Sequence, residues 1–410
     1  MKKFFISLFL IVSIFKLSAT NFFSSRFFEI KAEVPAYVSN NSLKITDYLV
    51  SSPVLDLQSI ALQVPIEGLN LDLNLYPKVT IQFNPQKGPV IGAAVGVDLY
   101  GNVNISQSLF TFLGLGNTLN QDINVSASTD FDVFSYVSLY AGYNSEKFSV
   151  VFKPSLVIPV LHMSTGYAGV TVQNAASGGI DIKANASVNV FTSFTATQET
   201  LKLISQNPFI LYSDAIDSSG IDLAAEFRYS ILSFLDLTAK VRVPIIPCKL
   251  DYLAPLTGSF NFSLNISSIL ANNTIPSPTY GYNISNGLVW FYQFSRPLKL
   301  FLRADLLPNN DFLSAFAGAG LGVKHPFSGD SSEVVFYPEY ILGAKVGIYS
   351  ILMTTLSTEY TDQLFIHQLM VTLNLRFLQV DVGAALSAKN FFDSFNVKGL
   401  GVYAAATIGF

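Results

Sequence analysis

The feature that most constrains this chain is alternation. Leu69, Leu71, Leu73 and Leu75 are separated by Asn70, Asp72 and Asn74. In an extended strand, successive side chains leave opposite faces, so this segment has one apolar and one polar face. The pattern recurs along the chain. Ile180 to Val190, Ile221 to Tyr229, Leu235 to Val243, Phe260 to Ile266, Leu298 to Leu306, Leu369 to Phe377 and Leu378 to Leu386 all alternate in this way. The runs reach about ten residues, the length a tilted strand needs to cross a bilayer; globular strands average about 5–6.

Composition supports the same reading. Charged residues make up 13% and apolar residues 50%. Soluble domains carry about 25% charged residues. A net charge of −4 gives no basic field for nucleic acid. Lys2, Lys3 and the apolar run Phe4 to Phe15, followed by Leu17-Ser18-Ala19, read as a secretory signal peptide spanning 1–19. The expected organisation is therefore a signal peptide (1–19), an N-terminal segment (20–68) and a barrel (69–410). The barrel is all-β and antiparallel, with about 14 strands in a range of 12–16, because bacterial barrels use even numbers. Weaker candidate strands lie near 88–99 and 101–109, among others. In 20–68, a first strand over Ser24 to Tyr37 precedes a helix-spaced set, Val54, Leu55, Leu57, Ile60, Ala61 and Leu62, bounded by Pro53 and Pro65. That helix either caps one end of the barrel or plugs its lumen.

The last strand carries an apolar row of Val402, Ala404, Ala406, Ile408 and Phe410. An alternating last strand ending in Phe resembles those of bacterial outer-membrane β-barrel proteins. The resemblance implies that Phe410 and Ile408 form a signal read by the barrel-assembly machinery, and that the partners are outer-membrane lipid and that machinery. Ala405 stands where the usual pattern has Gly. Gly68-Leu69-Asn70-Leu71-Asp72 and Arg296-Pro297-Leu298-Lys299-Leu300 loosely resemble uncharacterised outer-membrane proteins of spirochaetes and fatty-acid-channel-like barrels. The Asn-Pro-Ala element of the fatty-acid channels is missing.

Catalytic signatures do not emerge. There is one cysteine, Cys248, and none of His162, His325 and His367 has a ligand partner at i+2 or i+4. The reading assigns no metal, no cofactor and no enzymatic activity. Gly318-Ala319-Gly320-Leu321-Gly322 follows no βαβ pattern and reads as close strand packing. Tyr136, Tyr140, Tyr143, Tyr280, Tyr282 and Tyr292 are consistent with an aromatic girdle or with plain β-propensity. The polar rows carry Arg228, Lys240, Arg242, Arg303 and Arg376 beside Asp222, Glu226, Asp236, Asp305 and Asp381. These are expected to line the lumen, either paired with one another or as a basic ladder facing acidic residues. The expected function is porin-like or channel-like passive transport of small solutes across an outer membrane. The alternatives are a plugged barrel for a hydrophobic substrate such as a fatty acid, a structural or surface barrel, and a secreted β-rich lipid-binding module.

Overall fold

The computed structural model describes residues 26–47, 56–116, 122–174, 179–195, 215–265, 277–284, 288–308, 310, 312–327, 334–348, 351–375 and 377–410. The expected signal peptide and Arg376 lie outside these residues.

A single antiparallel sheet closes on itself. β1 (Phe28–Asn40) pairs on one side with β19 (Gly399–Gly409) and on the other with β2 (Leu69–Leu75) and β3 (Lys78–Phe83). β2 and β3 are one strand interrupted at Tyr76-Pro77, and both pair with β4 (Gly88–Ile105). β5 (Asp122–Asn144) and β6 (Phe148–Asn174) follow. One side of β6 is then shared. Its second half pairs with β7 (Gly179–Thr192) and its first half with β8 (Gly220–Leu232). Next come β9 (Leu235–Ile246) and β10 (Cys248–Asn265), flanked in turn by β11 (Thr279–Ile284), β12 (Leu288–Phe294) and β13 (Leu298–Leu306). β14 (Leu313–Lys324), β15 (Val335–Ile348), β16 (Leu352–Thr361), β17 (Leu364–Leu375) and β18 (Leu378–Ala388) complete the ring.

The described residues thus hold nineteen strand segments at fourteen positions around the ring, within the expected range of 12–16. Four of the fourteen positions around the ring are broken into segments, at Tyr76-Pro77, between Thr192 and Gly220, at Pro247, and within the β11–β13 run. Two expectations are corrected. The barrel begins at Phe28, not near residue 69, because β1 closes the ring against β19. The candidate strand at 88–99 and the first part of that at 101–109 are one strand, β4, which ends at Ile105; residues 107–109 are helical. Gly101 lets β4 continue, since a Cβ there would meet the Phe131 ring at 2.3 Å.

The burial pattern is that of a soluble protein turned inside out. Leu342, Leu356, Val402 and Ile408 are 59–65% exposed, whereas Asp222, Asp236, Thr372 and Asp381 are at most 4% exposed. Apolar rows face out and polar rows face in. A closed ladder leaves no unpaired backbone edge, and an apolar exterior needs lipid rather than water. The fold is a transmembrane antiparallel β-barrel. Among the described residues, no helix is long and apolar enough to cross a membrane.

Helix α1 (Leu57–Gln63) is capped by the Asp56 side chain, which accepts from the Ser59 amide at 3.0 Å. It packs against α2 (Gln107–Leu115) at the end of the barrel away from Phe28 and Phe410, hereafter the far end. Ile60, Val64 and Leu69 form a small core there with Leu43 and Phe110. A short helix, α3 (Phe391–Phe395), lies at the same end. The described part of 20–68 therefore supplies a wall strand and an end-capping helix.

Candidate functional site: a barrier across the lumen

The sequence-predicted lumen residues pair locally. Arg228 donates through Nε to Asp236 Oδ2 at 2.8 Å, and Arg303 donates to Asp305 Oδ1 at 3.0 Å. Glu226 takes Lys153 at 3.0 Å and Lys240 at 3.8 Å. Asp381 accepts from Gln379 at 3.0 Å. The two signs are interleaved, so among the described residues no basic ladder faces an acidic one.

Two members do more than pair with a neighbour. Arg242 lies 3.9 Å from Asp98 and donates to the Pro297 carbonyl oxygen at 3.0 Å. Asp222 lies 3.4 Å from Arg296. Arg296 also donates to Asp98 at 2.8 Å, with both side chains under 10% exposed, and its guanidinium sits over the Tyr136 ring at 4.1 Å. Asp98 and Arg296 come from β4 and from the break after β12, so this contact spans the lumen. A second bridge follows the same logic. Tyr76, at the β2/β3 break, donates to Asp362 in the β16–β17 turn at 2.9 Å. Asp362 also accepts from Tyr337 at 3.0 Å and lies 2.8 Å from Lys299, which reaches Glu339 at 2.6 Å.

Against this ionic belt lies an aromatic cluster inside the barrel. Tyr100, Phe134, Tyr136, Val157, Phe191, Cys248, Leu250 and Phe294 are all buried, with Tyr76, Leu253 and Tyr292 packed on them. Phe134 stacks on Phe294 at 4.5 Å, and Tyr292 stacks on His162 at the same distance. Tyr136 and Tyr292 therefore belong to the lumen and not to a girdle. Two cavities open inside the barrel. The far-end cavity is about 490 Å³, and Tyr100, Phe191, Tyr292, Tyr337 and Asp362 line it. The cavity below is about 360 Å³, lined by Arg242, Lys299, Glu339 and Glu359 among others. Lys299, joined to Asp362 above and Glu339 beside it, is the bridge between them.

The glycine run on β14 belongs to the wall. A Cβ at Gly320 would meet the Leu300 carbonyl oxygen at 2.2 Å, and one at Gly318 the Phe301 ring at 2.8 Å. Close packing is the reason for these glycines, as the sequence reading expects.

Asp98, Asp362 and the inward phenylalanines were not singled out from sequence; Arg296 and Lys299 stood only in a resemblance motif, and Tyr136 and Tyr292 only as girdle candidates. Part of the signal was present. Tyr76 and Arg296 each precede a proline inside a strand-like run, and proline interrupts a ladder. The metal reading also changes. Asp130 and Asp132 on β5 and His162 on β6 bring donor atoms within 4.8 Å of one another. The i+2 and i+4 test missed them because they are cross-strand neighbours. His325, in the loop after β14, adjoins them. Burial lowers the pKa of its imidazole, and Asp132 and Asp130 offset this only in part.

At the C-terminus, Ile408 and Phe410 point outward and are exposed. The Phe410 amide and carbonyl both bond to Phe28, at 3.1 Å each.

No family model matches the sequence, and no curated protein matches it. Among solved structures, the Ralstonia pickettii toluene transporter TbuX is similar, with a TM-score of 0.47 and 10% identity, over 97% of this chain and 93% of that one. The Pseudomonas putida toluene transporter TodX is similar at a TM-score of 0.46 and 9% identity, over 97% and 94% of the two chains. The translocator domain of the Neisseria meningitidis autotransporter NalP gives 0.32 and 7% identity, over 100% and 95%. The barrel topology of this chain rests on its own ladders.

Proposed function

We propose that this chain is an outer-membrane channel that passes small, largely apolar solutes and excludes ions. The observation that carries this reading is the aromatic cluster buried inside the barrel beside the far-end cavity. An open porin keeps a water-filled lumen with charged walls. Here Phe134, Phe191, Tyr292 and Phe294 present apolar surface inside the barrel, and the Arg296–Asp98 and Tyr76–Asp362 bridges lie across the lumen beside them. A hydrated ion gains nothing from such a surface, whereas an apolar solute can replace one ring contact with another. The far-end cavity, about 490 Å³ and lined by the Tyr100, Phe191, Tyr292 and Tyr337 rings together with charged residues such as Asp72, Asp130 and Lys389, has the size of a small-molecule site. Export by a signal peptide and insertion through the C-terminal strand complete the reading.

The test has two parts. In planar bilayers the purified barrel is expected to show no stepwise ion conductance. In vesicles with a lipopolysaccharide outer leaflet, it is expected to speed entry of a small aromatic such as toluene, but not of a sugar of similar size. Stepwise conductance by the wild-type protein would overturn this reading in favour of an open porin.

A further inference from the structure

We propose that Asp130, Asp132 and His162, together with His325, form a binding site for a first-row transition-metal dication at the far mouth of the lumen. Asp132 and His162 are almost fully buried, with side chains 3% and 6% exposed. Asp130 is 44% exposed and opens the cluster to the far-end cavity, which Asp130, His162 and His325 all line. His162 Nδ1 lies 2.7 Å from Asp132 Oδ1 and 4.0 Å from Asp130 Oδ1. Donors about 2.0–2.1 Å from a tetrahedral zinc stand roughly 3.3 Å apart. The two observed separations fall on either side of that edge, and all three donors lie within 4.8 Å of one another, so side-chain movements of about 1 Å or less bring them onto one ion.

A fourth donor is at hand. His325 Nε2 lies 3.6 Å from Asp132 Oδ2, too far for a good hydrogen bond, and its buried Nδ1 has no hydrogen-bond partner. Two imidazoles thus converge on one buried carboxylate, and His325 gains little from its present position. The competing account is a network of ion pairs closed by Lys324, which stands 3.5 Å from Asp130 and 3.9 Å from Asp132. One ammonium cannot neutralise two carboxylates at those distances. With both imidazoles neutral, the cluster keeps a net charge of −1. Mixed imidazole and carboxylate donors select zinc, cobalt or nickel over magnesium or calcium, which prefer all-oxygen sites. His162 is held on its other side by stacking on Tyr292, at 4.5 Å and 11° between planes, which fixes the ring as a preorganised ligand would be. The site stands apart from the ionic belt, and its existence does not depend on what crosses the lumen.

The experiment is cobalt titration of the untagged, folded barrel in detergent, followed by visible absorption. One equivalent of Co²⁺ is expected to give a d–d band that Zn²⁺ displaces. Asp130→Asn, at the exposed position, and His162→Gln should each weaken binding more than about tenfold. His367→Gln, outside the cluster, should bind as the wild type does. Heat-modifiable gel mobility establishes that each variant is folded; should His162→Gln fail that check, Asp130→Asn and His325→Gln decide the matter. Absence of the band in the wild type, or full affinity in folded Asp130→Asn and His325→Gln, would overturn the proposal.

Discussion

Placing arginine on the outward row at two depths tests both the parity and the membrane position of the barrel. Leu356 is the fifth of the ten residues of β16, is 62% exposed, and lies between Ala344 and Leu369 on the neighbouring strands. A strand rises about 3.3 Å per residue, and a tilt of roughly 40° leaves about 2.5 Å along the membrane normal. Ten residues then span about 25 Å, the height of the apolar band of such barrels. Leu356 lies about 10–12 Å from either end of the strand on the same spacing, close to the midplane. Leu237 faces out as well, but it is the third residue of β9, about 5 Å from the strand end. Arginine facing lipid costs about 2–4 kcal/mol at the midplane and about 0–1 near an interface. Leu356→Arg should therefore destabilise the barrel by about 2–3 kcal/mol more than Leu237→Arg. Reversible guanidinium unfolding in phospholipid vesicles measures both. Equal losses, or no loss at Leu356, would refute the assigned depth and the assignment of this row to lipid.

Four further outcomes are expected. Phe294→Ala removes the ring stacked on Phe134 and should cost about 3–5 kcal/mol while raising solute flux, read by unfolding and vesicle entry together. Arg296→Ala leaves Asp98 and Asp222 buried with less compensation and should cost about 3 kcal/mol, whereas Arg296→Met with Asp98→Leu should recover part of that in the same unfolding assay. Gly320→Val drives a side chain into the Leu300 carbonyl and should prevent folding, while Gly258→Ala, where an added Cβ meets nothing within 4 Å, should leave gel mobility unchanged. Deleting Phe410 should slow insertion by the assembly machinery in cells, measured as the unfolded fraction after a pulse of synthesis, with little effect on the stability of barrel refolded in detergent.

The alternation by itself determined the class of fold. A period of two in runs of about ten residues leaves Leu356, Leu369, Val402 and Ile408 on one face and Asp381, Thr372 and Asn374 on the other, whatever the register. Low charge left two uses for the apolar face, a soluble core or a lipid-facing exterior, and only the inverted burial of the closed ring decided for lipid. The local pairs Arg228–Asp236 and Arg303–Asp305 were also legible, since a hairpin or an i,i+2 step brings their partners together. Parity, however, says only that a side chain points inward. It does not say what it meets there. Asp132 and His162 are 30 positions apart, Asp98 and Arg296 are 198, and Tyr76 and Asp362 are 286. Their meetings depend on the register of every intervening ladder and on the strand breaks at Tyr76-Pro77 and before Pro297. Those breaks turn two side chains out of the wall and across the lumen. The aromatic barrier was hidden for the same reason. Phe134, Phe191, Tyr292 and Phe294 fit the β-propensity of any strand, and only closure of the ring brings their rows together.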